Sequence, residues 1–396
     1  MAAVTVQQPP FNTCTCELPT ASPRTPFDDT LYQPLPGPDS VRLLEIIPGP
    51  RHSGLACRLF LSNLSQISLS PPPSYEAISY VWGVSAALTT IQCNGHGVRV
   101  TSSLASALAR FRSPRTSRVV WIDGICINQA DDREKGHQVK LMRFIYKRAR
   151  RVLVWLGEAA HHRQPQAAFS AICALANQTL PLDAPASALA TWGFDDDDDE
   201  DEEQSGKERS SKSPGRKSSS SGSGRKNLLA DRWEALGPFY ALPWFHRVWV
   251  IQEIALSTTA SMHWGPGGAH ISWAHVARAT DRIIELKNRL PLHRLPGMLH
   301  AHLMGSLWQA EQRRAMTKAV EKDRMPFEEL FARTTKFEVT DPRDRVYGLL
   351  GIPTREADPD AGELYLEPDY GVNLVGLYVR LFQKQGLRMR DLGPLS

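Results

Sequence analysis

Glu253, Asp123, Arg247, Trp82 and Trp249 are residue types that can do chemistry, and each has a plainer reading beside it. A carboxylate such as Glu253 can stabilise the positive charge that develops when a glycosidic bond breaks. Its plainer role is an ion pair with Arg247 or another basic neighbour. Asp123 closes an apolar run and opens a loop, so it either orients a ligand or caps its own loop backbone. Asn128 and Gln129 bring amide donors and acceptors to the same loop. Gly83 and Gly124 permit close backbone approach. Trp82 and Trp249 carry faces on which a base can stack, although tryptophan in such settings is more often core. Arg133 offers a cation to a phosphate, or is simply solvated.

Other constellations are weaker. Cys126 is a single thiol, and a nucleophile needs a base that sequence cannot place beside it; it reads as a small packed apolar residue. His137 lies one helical turn from Glu134 without any further catalytic signature. Cys93-Asn-Gly-His96 has metal-like spacing but spans a hairpin turn and lacks a second ligand pair. Trp264-Gly-Pro-Gly-Gly-Ala-His270 is glycine-rich without matching a phosphate loop, and no dinucleotide fingerprint, Walker motif or HExxH is present.

The elements that must position these residues follow from periodicity. Strands are expected over Val41–Ile47, near Ala56 to Leu64, and on either side of Asn94-Gly95, a strong hairpin signal. A helix starts after Ser102 or Ser103, with Leu104, Leu108 and Phe111 on one face. Arg118–Asp123 reads as a buried strand, Asp131-x-x-Glu134 as a capping box opening a long helix, and Val152–Leu156 as the next strand. Strand, helix, strand is a βαβ unit. Trp244–Ala255 is expected to be an amphipathic helix, with further helices over Trp273–Asn288, Met298–Met316 and from Asp341-Pro342 to Leu350. If the strands ending at Trp82, Asp123 and Leu156 are neighbours, their loops meet where open parallel sheets bind ligands. That edge would display Trp82-Gly83, Asp123 to Gln129 and Gly157-Glu158, with Glu253 completing the cleft.

Composition bounds the class. Across 396 residues, 42% are hydrophobic, enough for a buried core, and the net charge of +4 is too small to imply a nucleic-acid binder. No stretch is apolar for long enough to span a bilayer, and the N-terminus lacks a secretory pattern. The 6 cysteines are scattered, which suits a reducing, cytoplasmic setting. Residues 1–40 are expected to be unstructured. Residues 160–227, which include the acidic run Asp195 to Glu203, are expected to be a charged low-complexity insertion.

Several segments together resemble the fungal heterokaryon-incompatibility (HET) domain family. They are Tyr75-Glu-Ala-Ile-Ser-Tyr-Val-Trp-Gly83, Trp121-Ile-Asp-Gly-Ile-Cys-Ile-Asn-Gln129 continuing to Val154-Trp-Leu-Gly157, and Arg247-Val-Trp-Val-Ile-Gln-Glu253. Asp341–Gly351 and Pro368-Asp-Tyr370 resemble segments that commonly follow the domain. The resemblance implies a HET domain over residues 41–257 with its core at 75–257, followed by a mainly helical region, 258–396. It implies an effector of allorecognition and programmed cell death, activated by association with other signalling or incompatibility proteins or with itself. The domain also looks like a distant relative of the TIR fold. The expected class is therefore α/β, with a TIR-like or flavodoxin-like, mostly parallel sheet flanked by helices and extra N-terminal strands. The TIR likeness implies NAD as a substrate rather than a cofactor, with Glu253 catalytic and Tyr80, Trp82, Gly83, Asp123, Asn128, Gln129, Arg247 and Trp249 binding it. Against the hydrolase reading stands a non-catalytic, oligomerising scaffold in which the same residues serve packing. Fold-level likeness does not decide between them.

Overall fold

A computed structural model describes residues 31–50, 53–65, 75–83, 87–177, 234–285, 295–317 and 324–391. Residues 1–30 of the expected N-terminal segment 1–40, and residues 178–227 of the expected insertion 160–227, lie outside the described residues.

Among the described residues nine strands form one sheet in the order β5-β4-β2-β1-β6-β3-β7-β8-β9. β1 (Ser40–Ile46) and β2 (Ala56–Asn63) pair antiparallel. β4 (Leu88–Cys93) and β5 (His96–Thr101) form the expected hairpin. Asn94 and Gly95 take φ values of 52° and 82° at its turn, the left-handed pair that a two-residue hairpin needs. β3 (Glu76–Tyr80), β6 (Arg118–Trp121), β7 (Val152–Trp155) and β8 (Ala260–His263) run parallel as β6-β3-β7-β8. β9 (His270–Ser272) closes the edge antiparallel.

The sheet is therefore mixed: β6-β3-β7-β8 at its centre and the β2–β4 pair are parallel, as a mostly parallel sheet was expected to be, while β1–β2, β1–β6, β4–β5 and β8–β9 are antiparallel. β6 and β7 do not pair with each other as a simple βαβ unit would; β3 lies between them. β3, β7 and the end of β6 are buried, which is why these strands read as continuous apolar runs.

The helices follow their local chemistry. α1 (Ser102–Phe111) is capped by the Thr101 hydroxyl, which accepts from the Leu104 amide. A one-turn α2 (Asp123–Cys126) follows β6 directly. α3 (Asp132–Arg148) opens with Asp131 accepting from the amides of Arg133 and Glu134. Its Glu134 does not return to Asp131, as a capping box would. It accepts from the Asn128 amide at 2.7 Å and ion-pairs with Arg42 of β1 at 2.5 Å. The N-terminal strands thus brace the loop after β6.

α4 (Arg163–Ala176) stands where the charged insertion was expected to begin. Pro165, Ala168, Phe169 and Ile172 place it in the core. A 3-10 turn, Pro243–His246, leads to α5 (Trp249–Ala255). All six residues from Val250 to Ala255 are buried, so this segment is enclosed on every side rather than amphipathic. α6 (Trp273–Glu285), α7 (Met298–Thr317), α8 (Phe327–Arg333), a short α9 (Asp344–Tyr347) and α10 (Leu374–Asp391) follow among the described residues. The region after residue 257 is mainly helical, but it also contributes β8 and β9 to the same sheet. Among the described residues no helix is long and apolar enough to cross a membrane.

Candidate functional site

β3 is the point at which the parallel centre of the sheet divides, with β6 on one side and β7 on the other. Backbone leaving β3 and β6 at their carboxyl ends must turn away in different directions, and a crevice opens there. It is a cleft of about 390 Å³. From the β3 end it takes Val81, Trp82 and Gly83; from the loop after β6, Asp123, Ile127 and Gln129.

Asp123 organises the floor. Its carboxylate accepts from Trp82 Nε1 at 2.8 Å and from the Gly124 amide at 2.7 Å. The Tyr80 hydroxyl bonds it as well. Burial raises the Asp123 carboxyl above its ordinary value, against the pull of Arg247 and of these donors. Gly124 leaves room for the arrangement, because a Cβ there would come within 2.6 Å of the Tyr80 hydroxyl and of Leu104. Gly83 has φ 74°, the left-handed turn by which the chain leaves β3 after Trp82. Trp82 itself is 37% exposed and available to a ligand. Asn128 spends its side chain on the Ala130 amide, a local turn, while Gln129 donates to the Asp123 carbonyl at 2.9 Å.

Arg247 and Trp249 line the opposite side. Arg247 donates to the Tyr80 carbonyl and is the cation felt by both Asp123 and Glu253. Glu253 is 3% exposed and does not line the cleft. It lies beneath the floor, where it accepts from Ser79, whose hydroxyl in turn accepts from Trp244 Nε1 at 2.7 Å. The Tyr146 hydroxyl is a further donor to it. Burial pushes the Glu253 carboxyl up to about 7, offset in part by Arg247 and Ser79. The structure thus separates Glu253 from the open surface by the residues expected to share a ligand with it. Gly157 and Glu158 also stand apart from the cleft: Gly157 accepts from the Gly265 amide, and Glu158 from Ser106 at 3.4 Å.

The second wall comes from residues whose placement sequence patterning did not give. Glu338, Val339, Thr340, Asp341, Asp344 and Tyr370 line it, with Lys135 of α3 at the junction. Arg247 and Glu338 form a β-bridge, which carries this strand-like segment against the cleft. Asp344 is buried, accepting from Trp249 Nε1 at 3.0 Å and from the Tyr370 hydroxyl at 2.7 Å; burial raises its carboxyl. The Tyr370 ring has the Lys135 ammonium 4.0 Å from its centroid and the Arg343 guanidinium at 5.1 Å. Arg343 also donates to the Tyr370 carbonyl and chelates Asp341. The signal for this wall was present in Asp341–Gly351 and Pro368-Asp-Tyr370, but only as a motif without an address.

The cleft offers hydrogen-bond acceptors at Asp123, Asp341 and Asp344, a cation at Arg247, and aromatic faces at Trp82, Trp249 and Tyr370. Among the described residues no group of three or more His, Cys, Asp or Glu is arranged to hold a metal ion, and Cys93 and His96 simply face each other across the hairpin. Cys126 is fully buried, with its thiol pushed up to about 12, so it is a packed residue.

Comparison with known proteins gives these positions a family context. Residues 75–253 match the family described as heterokaryon incompatibility protein (HET). The chain is 30% identical over 354 residues to heterokaryon incompatibility protein 6, OR allele, of Neurospora crassa. That alignment covers 83% of this chain and 49% of the relative, so the chain spans about half the relative's length. No solved structure matches the chain.

Proposed function

We propose that this chain is a HET-domain effector of fungal incompatibility, whose output is cell death and whose trigger is association with another incompatibility protein or a second copy. One observation carries the reading. Trp82, Asp123 and Arg247, which lie in three separate segments of the region 75–253 matched to the family, line a single cleft. A family whose residues served packing alone has no need to bring an exposed tryptophan, a hydrogen-bonded aspartate and an arginine to one opening. The effector acts in the cytoplasm on this reading, and its core is a variant of the TIR architecture.

The test is inducible expression in a fungal host, scored for viability and growth arrest. Asp123→Asn and Trp82→Ala are expected to suppress death while leaving protein abundance unchanged. Full toxicity in both variants would remove the cleft from the mechanism.

The second reading is hydrolysis of NAD with Glu253 as the catalytic carboxylate. It is favoured by a carboxyl held near pH 7 beneath the cleft floor, since buried groups with shifted protonation concentrate at functional sites. It requires the floor formed by Tyr80 and Arg247 to open, because Glu253 does not reach the cleft directly. Purified protein incubated with NAD, followed for nicotinamide release, decides it. Turnover in the wild type and none in Glu253→Gln supports catalysis. Toxicity without turnover, retained in Glu253→Gln, supports the scaffold.

A further inference from the structure

The last described helix, α10, is seated on the domain by one side. Leu377 and Leu381 are buried there, with Tyr378 packed beside them against the core. Val375, Val379 and Phe382, spaced i, i+4 and i+7, share the opposite face as one ridge of the helix. They are 73%, 48% and 65% exposed, and Leu374, next in sequence to Val375, is 39% exposed. Single exposed apolar residues are ordinary, whereas a ridge of them along one helix marks an interaction surface. None of the four lines the cleft.

The helix keeps a positive charge after its partners are counted. From Leu374 to Asp391 the sequence holds Arg380, Lys384, Arg388 and Arg390 against one acid, Asp391. Asp369 lies 3.6 Å from Arg380 and offsets it. The Lys384 ammonium stands 5.7 Å from the centroid of the Tyr365 ring, a contact that leaves its charge in place. Setting Asp369 against Arg380 and Asp391 against one arginine leaves two cations over. Glu367, an exposed carboxylate on the segment entering α10, is already met by Lys140.

An apolar ridge and surplus cations on one exposed helix match a surface that is anionic outside and apolar within. We propose that α10 lays this face on an anionic lipid membrane, with Val375, Val379 and Phe382 entering the boundary between headgroups and acyl chains. Arg380 and Lys384 fall outside the ridge, but a helix about 10 Å wide keeps its cations within roughly a Debye length of the headgroups. The contact is peripheral, since no helix among the described residues is long and apolar enough to cross a bilayer. Area decides against a second copy or another protein. Four side chains on a convex helix offer on the order of a few hundred Å², short of the ~800 Å² per partner that a stable protein interface buries. A bilayer needs no such matching surface, because it takes up protruding apolar side chains singly and attracts each nearby cation. The buried Leu377 and Leu381 keep the helix on the domain while the ridge lies along the membrane. The inference is independent of the cleft and of any reaction performed in it.

The test is sedimentation of the full chain with vesicles of phosphatidylcholine alone, and of phosphatidylcholine containing about 30% phosphatidylserine, at about 0.1 M salt. The chain is expected to bind the anionic vesicles at least about fivefold more tightly, and about 0.5 M salt is expected to remove that preference. Phe382→Gln and Val379→Gln, both at exposed positions that the fold does not depend on, are each expected to weaken binding at least about threefold. Lys384→Gln is expected to weaken binding to the anionic vesicles alone. Met316→Gln, at a methionine of α7 that is 83% exposed and outside the ridge, is the control and should change nothing. No sedimentation with anionic vesicles, equal binding to both compositions, or full binding by Phe382→Gln overturns the proposal. Dimerisation that depends on Phe382, in a chain that ignores both vesicles, assigns the ridge to a second copy and overturns it as well.

Discussion

Ser79 donates its hydroxyl proton to the carboxylate of Glu253, joining β3 to α5 across 174 positions of sequence. The same hydroxyl accepts from Trp244, so neither the serine nor the carboxylate is free to turn outward without breaking a buried bond. Burial, offset only in part by Arg247 and by this bond, sets how Glu253 titrates.

The folded chain keeps the Glu253 proton up to about pH 7, while the ordinary carboxyl loses it near 4.5. The unfolded chain therefore binds fewer protons between those values, and stability from this group falls as pH rises through the window. It is flat below about 4.5 and again above about 7. The loss is on the order of 3 kcal/mol, and Glu253→Gln lacks it. Urea unfolding of both proteins at pH 4.5, 6 and 7.5 checks this. A wild-type to variant difference that does not change with pH sinks the assignment.

Arg247 is the cation between Asp123 and Glu253. Arg247→Met leaves two enclosed carboxyls without it and frees the Tyr80 carbonyl. A cost of about 3 kcal/mol is expected, together with a Glu253 titration displaced to higher pH. Chemical denaturation across the same pH series measures both. A variant as stable as the wild type with an unmoved titration contradicts the electrostatic account.

Gly297 packs against backbone. An added Cβ would collide with the Tyr240 carbonyl and lie 2.9 Å from Phe245 Cβ. Gly297→Ala is expected to cost about 3 kcal/mol, because a carbonyl in a packed turn cannot step aside. Gly54, with open space around it, is the control, and Gly54→Ala should change stability by less than about 0.5 kcal/mol. Melting curves of the two variants make the comparison.

Asp360 receives Arg143 and Lys147 from α3 and Arg314 from α7. Arg143 is buried, so Asp360→Asn strands its charge and should cost about 2 kcal/mol at neutral pH. These partners hold the Asp360 carboxyl far below its ordinary 3.8. Its stabilisation is complete above that value and is lost as pH falls toward the folded value. Acid unfolding should start at higher pH in Asp360→Asn. Coincident acid transitions in the two proteins would show that the cluster contributes nothing.

Local chemistry made much of the matched region legible. Asn94-Gly95 specified its hairpin, Asp131 its helix start, and the apolar runs at Arg118 and Val152 their strands. β8 and β9 escaped because four- and three-residue strands are too short to show a period. α4 escaped because its alanine-rich face continues straight into low-complexity sequence. The loops carrying Trp82 and Asp123 were placed at the sheet's carboxyl edge by the strand argument alone. The depth of Glu253 was not readable, since a helix seven residues long and buried all round carries no polar face to announce it. The wall of Asp341, Asp344 and Tyr370 depends on contacts spanning the chain, which no local window contains.

That wall has a genetic consequence. The region matched to the family ends at residue 253, yet a third of the residues lining the cleft are encoded from residue 338 onward. A crossover anywhere between those points would join one parent's Trp82 and Asp123 to another parent's Asp344 and Tyr370. Each recombinant would line the cleft with a combination of side chains that neither parent carried, made without a single substitution.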